Sequence, residues 1–178
     1  MTYIDRFPDL DHDERIEQLE LRMRRLGELR DQLLKTGPEH FDQDSWFSRP
    51  EYEWTTERMC TAFDSDGGLD VEQLAEFPID QCGATACLAG HGAILMASQK
   101  RRHIPISRHD VSMHFGIPGS WFDGQIPSYH PGADLLDKLA ERGMPDHVAK
   151  WMCQLYGVQD AIDQYEQLRD ELLDQVGV

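Results

Sequence analysis

At 178 residues, 40% of them apolar, the chain is long enough for one globular domain with a real core. Its formal net charge of −16 disfavours direct binding to nucleic-acid phosphates, and no run of ~18 apolar residues offers a membrane span. Met1 to Asp9 hold no apolar stretch of signal-peptide kind, so a cytoplasmic location is expected, with Cys60, Cys82, Cys87 and Cys153 as free thiols.

Residues 11–35 predict a long amphipathic helix. Ile16, Leu19, Met23, Leu26 and Leu33 recur at helical spacing, Leu29 and Leu34 widen the stripe, and Arg22, Arg24, Arg25 and Arg30 fall on the other face. Gly37-Pro38 ends it. Residues 38–56 are aromatic and acidic without periodicity, an ordered loop pinned by Phe41, Trp46, Phe47, Tyr52 and Trp54. Short helices are expected at 56–63 and 70–77. Between them, Asp64, Asp66 and the following glycines resemble an EF-hand loop, but one two residues short, with Gln73 where the bidentate glutamate belongs. A turn that caps the next helix explains the same residues without calcium.

A helix over 82–99 follows, rich in Ala and Gly. Two near-central glycines cost roughly 1 kcal/mol each against alanine, which implies that another backbone approaches closely. This helix is therefore expected at the centre of the fold. Ser107 is placed to cap a short helix ending at Phe115, with Gly116 and Pro118 as the stop. Residues 117–132 read as a Pro/Gly loop. Helices are expected at 132–142, 145–156 and 158–175, the last with Ile162, Tyr165, Leu168, Leu172 and Val176 as its stripe and the first helix as its partner. No β alternation stands out. The expected fold is a mainly α, single-domain helical bundle: an N-terminal helix at 11–35, a loop-rich core over 38–130, and C-terminal helices over 131–178.

Charge is unevenly spread. Residues 1–80 carry 21 acids against 9 bases and residues 131–178 carry 10 against 4, whereas residues 81–130 carry 2 against 4 and hold five of the eight histidines. Acidic flanks suit a solvated shell. They also suit a surface that meets a basic protein, or that imitates DNA to occupy a nucleic-acid-binding protein.

The stretch from Asp80 to Leu95 carries the strongest chemical signal. A cysteine at a helix N-terminus feels the positive end of the dipole, which favours thiolate and makes Cys82 a candidate nucleophile. Cys87 and His91, at i and i+4, share a helix face and with Cys82 form a candidate zinc set, although tetrahedral zinc needs a fourth ligand that no second paired cluster supplies. The third reading is that both thiols pack as small apolar groups. No cofactor is expected on that reading.

Two resemblances bear on this stretch. Gln81-Cys-Gly-Ala-Thr-Ala-Cys-Leu-Ala89 resembles the Cys-Gly-Pro-Ala-Cys-Leu run of the bacteriocin-processing cysteine peptidases, with one residue inserted before the second cysteine. That family implies a histidine on a downstream strand, whereas His147 here lies in a helical pattern. A broader pattern spans residues 29–117: Pro38-Glu-His-Phe-Asp42, Trp46, then Cys82-Gly83, Cys87-Leu-Ala-Gly90-His91-Gly-Ala93, then Phe115-Gly-Ile117. It is similar to a group of small uncharacterised bacteriophage and actinobacterial proteins, with Ala84 where threonine is usual. The resemblance implies that Trp46 packs on the Cys-Gly helix, with Gly83, Gly90 and their neighbours admitting it, and it implies no activity. The reading that follows is an acidic, non-enzymatic interaction protein of phage or mobile-element type, with a basic protein surface as its partner. The alternatives are a cysteine hydrolase built on Cys82 and a structural zinc protein built on Cys82, Cys87 and His91.

Overall fold

The computed structural model describes residues 6–43, 47–48, 85–99, 106–122 and 125–176. The chain is mainly helical, as its periodicity predicts. Helix α1 (His12–Thr36) begins at a capping box: Asp11 accepts the Glu14 amide at 2.9 Å, and Glu14 accepts the Asp11 amide at 3.3 Å. It ends at Gly37, whose φ of +77° only glycine adopts without strain and whose N–H returns to Leu33. Two-residue strands β1 (Phe47–Ser48) and β2 (Thr85–Ala86) pair antiparallel, and Phe41 bridges Ala86 beside them. Helix α2 (Leu88–Gln99) follows, then α3 (Arg108–Phe115), a 3-10 turn at Gly119–Phe122, α4 (Ala133–Glu141) and α5 (Asp146–Val176). Among the described residues no helix is long and apolar enough to cross a membrane.

The frame is the antiparallel pair α1–α5. His12 Nε2 meets the Leu172 carbonyl at 3.0 Å, Arg30 donates to Gln159 at 2.9 Å, and the Trp151 indole donates to the Leu33 carbonyl at 3.2 Å, so the two helices run in opposite directions along their whole length. Leu19, Leu26, Leu29 and Leu33 are buried against Val158, Ala161, Tyr165 and Leu172, as the two stripes require. Helix α2 is the central small-residue helix: every residue from Leu88 to Ala93 is buried. Gly92 shows why it is small-sided. A Cβ there would lie 2.7 Å from Val111 and 2.9 Å from Phe115, so α3 lies closer than a side chain allows.

Four expectations are corrected. The central helix starts at Leu88 rather than 82, because Thr85 and Ala86 are extended and paired, with the Ala86 carbonyl taking the Asp42 amide at 3.1 Å. The C-terminal helices at 145–156 and 158–175 are one 31-residue helix that runs through Gly157. Arg22 is not on the solvent face: it is only 8% exposed, three residues from Leu19 and four from Leu26, and so sits inside the buried stripe. Leu34, assigned to that stripe, is 54% exposed. The predicted helices at 56–63 and 70–77 and the Asp64–Gly68 loop lie outside the described residues.

Candidate functional site

The start of α2 carries the chemistry that the sequence singled out. Of the six residues named there, Trp46, Cys82 and Gly83 lie outside the described residues, and Cys87, Gly90 and His91 lie within them, all buried. Because α2 begins at Leu88, Cys87 is the thiol at the helix N-terminus. Its carbonyl accepts the His91 amide at 3.0 Å, closing the first turn. Cys87 is 1% exposed, the setting in which a thiol packs as a small apolar group. Cys153, on α5, is held protonated, because burial pushes its thiol up to about 11.

His91 is 0% exposed and stacks on the Phe41 ring, with centroids 6.2 Å apart. Its Nε2 lies 3.2 Å from the His40 carbonyl, an acceptor, so Nε2 carries the proton. Nδ1 has no hydrogen-bond partner among the described residues. Burial drives the pKa of the ring down from 6.5 to about 4, so it stays neutral at pH 7. The described role of His91 is to fasten the Phe41 segment to α2. Among the described residues, no three histidines, cysteines or carboxylates gather where a metal ion could bind. His109 and His147 are exposed, and His147 lies in α5.

One consequence concerns pH. An unfolded chain would protonate His91 near pH 6.5, whereas the folded chain resists until about 4. The unfolded state therefore binds more protons in that window. The His91 contribution to stability is expected to fall as pH falls from 6.5 to 4, by up to roughly 1.4 kcal/mol per pH unit, and to be flat above it. His91→Gln retains a donor for the His40 carbonyl but cannot titrate. Urea melts of both proteins at pH 7 and pH 5 should show a larger loss in the parent than in the variant, in which His130, pushed down to about 4 by its own burial, still titrates. His12 has the opposite sign: the Leu172 carbonyl and then Asp13 raise its pKa, so its contribution is present at low pH and lost as pH rises through that raised value.

Two polar arrangements escaped sequence reasoning. The first caps α3. Arg22 Nη1 donates to the carbonyls of Met113 and His114, Arg25 Nη1 donates to His114 at 3.1 Å, and the Tyr165 hydroxyl donates to Gly116 at 2.9 Å. These carbonyls are the unpaired end of a helix, which cations favour. Gly116, in the left-handed region at φ +69°, leaves room for this: a Cβ there would lie 2.4 Å from the Tyr165 hydroxyl.

The second is a buried junction on α5. The Trp121 carbonyl accepts two glutamine amides, Gln43 and Gln154, each at 2.8 Å. His130 accepts the Gly132 amide on Nδ1 at 2.9 Å, which leaves Nε2–H to donate to Gln154 Oε1 at 3.3 Å. Its ring lies 4.3 Å from that of Trp121. Gly157 is the floor: a Cβ there would meet two His130 ring atoms at 2.5 Å and Trp121 at 3.1 Å. Gly132 is as tightly placed, with a Cβ 2.7 Å from the Cys153 carbonyl. A glycine in mid-helix was the available signal, since it marks a close neighbour rather than a break.

The surface is the remaining candidate. Six exposed carboxylates run from Asp9 to Glu20 at the start of α1, and four from Glu166 to Asp174 at the end of α5. The antiparallel pairing, fixed at this end by the His12 contact with Leu172, brings both sets to one end of the pair. The arginines in these two stretches are Arg15 and Arg169, and Arg169 is engaged by Asp170 at 2.7 Å and Glu166 at 3.3 Å. No family model, curated protein or solved structure matches this chain.

Proposed function

We propose that the chain is an acidic, non-enzymatic interaction protein of phage or mobile-element type. It binds a basic surface on a host or partner protein through the end of the molecule where α1 begins and α5 ends. The observation that supports the reading is the convergence of ten exposed carboxylates at that end, on the two longest helices and against two arginines in the same stretches. Such a field steers a basic partner and rejects phosphate backbones. Two groups elsewhere in the fold favour binding over catalysis: His91 is neutral and sealed, and Cys153 is protonated.

The test is retention of partners from host lysate on immobilised protein in low and high salt. Exposed charges act over a Debye length of about 10 Å at 0.1 M salt and about 3 Å at 1 M, so retention should weaken steeply with salt. A variant with Asp170, Glu171 and Asp174 changed to their amides should lose the partner. A control with Asp134, Asp137 and Glu141 of α4 so changed should keep it. Equal retention by both variants, or retention indifferent to salt, would refute the reading.

A further inference from the structure

The segment 125–132 crosses the surface between the 3-10 turn and α4, and of its eight residues only His130 and Gly132 are buried. Gln125, Ser128 and Tyr129 are exposed, and Tyr129 touches Ser120 through their hydroxyls at the rim. The side chain that anchors the segment deepest is the His130 ring, beside Gly132, whose backbone packs on Cys153. His130, 3% exposed, fills the hollow that Gly157 leaves on α5 and covers the Trp121 ring.

The hydrogen bonds of that ring demand one protonation state. Nδ1 must be bare to accept the Gly132 amide, and Nε2 must carry hydrogen to reach Gln154. A proton added to Nδ1 would face another N–H in a hollow closed to water. Among the described residues, the charged group that bears on the ring is Asp160 on α5, whose influence favours protonation but is outweighed by burial. Of the other residues that meet there, Trp121, Gln43 and Gly132 are not ionisable, and Cys153, against Gly132, is held neutral by burial. Leaving the hollow lets the ring regain water at the expense of one surface segment. The seam of α1 with α5 (Leu26, Leu29, Leu33, Val158, Ala161) is apolar and does not take part.

We propose that His130 is an acid-released plug: protonation expels its ring, frees segment 125–132 and uncovers Trp121 and Gly157 on α5, while the α1–α5 pair stays folded. The proposal does not depend on the acidic-surface reading.

Amide hydrogen exchange across pH 7 to 4, corrected for the intrinsic rate, tests it. Opening at residues 128–133 should increase by up to about tenfold per pH unit below 6.5, the slope of a single linked proton, while α1 and α5 amides stay protected. His130→Asn keeps a side-chain acceptor for the Gly132 amide, as in an Asx turn, but does not titrate, and should flatten that rise. If the variant folds poorly, the His130 ring resonances of the parent give the same answer, since their titration must coincide with the opening. Opening that spreads together through α1 and α5, opening that persists in the asparagine variant, or ring titration without opening would each overturn the proposal.

Discussion

Trp121→Ala is expected to lower the unfolding free energy by about 3–5 kcal/mol, a fall in Tm of roughly 6–20 °C for a chain of this size. Trp121 is fully buried and lies where the 3-10 turn, the 41–43 segment, the His130 ring and α5 meet. Removing the indole leaves a hollow over Gly157 that no neighbour can fill, because the residues around it are tied to one another by the Gln43 and Gln154 amides. Trp121→Phe, which keeps a ring against His130, should cost clearly less. Thermal melts of the three proteins check this, and a loss below about 1 kcal/mol for the alanine variant would place the indole outside the stabilising core.

Arg22→Met is the second large expected effect, a loss of about 2–4 kcal/mol. Two terms oppose each other. A buried guanidinium carries a desolvation cost that methionine removes. Against this, the carbonyls of Met113 and His114 lose their donor, and Arg25 is left to serve His114 only. The unpaired carbonyls decide the sign, because they stay where α3 ends whatever occupies position 22. Arg22→Lys should fall between, since an ammonium cannot span two carbonyls as the planar fork does. Urea melts measure the loss, and faster amide exchange in the last turn of α3 should accompany it. A methionine variant as stable as the parent would show that the guanidinium does no more than fill space.

The parts of the fold that sequence conveyed well are those written in local rules. Gly37-Pro38 stops α1, Ser107 caps α3 with Asp110, and Gly116 ends α3 in the left-handed region. The stripes of α1 and α5 gave their pairing, which rests on spacing alone. What failed was local rules overridden by contacts. Gly157 breaks helices by propensity, yet α5 continues because the His130 ring needs the space. Arg22 belongs to solvent by charge, yet its position in the repeat puts it in the seam beside the end of α3. Thr85 and Ala86 lie in a run of small residues whose sequence reads as helix, yet pairing with Phe47 and Ser48 holds them extended. His130 lay in a stretch read as Pro/Gly loop, with nothing around it in sequence to reveal that it is buried. At the α2 start the spacing misplaces the helix end: Cys87, rather than Cys82, stands at it.

The most direct test of the proposed interaction is to see which carboxylates touch the partner. A zero-length reagent that joins carboxylates to amines, applied to the complex captured at low salt and followed by peptide mass spectrometry, reports this. The account predicts links from partner lysines to the stretches 9–20 and 166–174, lost in high salt. Links concentrated on Asp134, Asp137, Glu141 and Asp146, at the opposite end of α5, would contradict it.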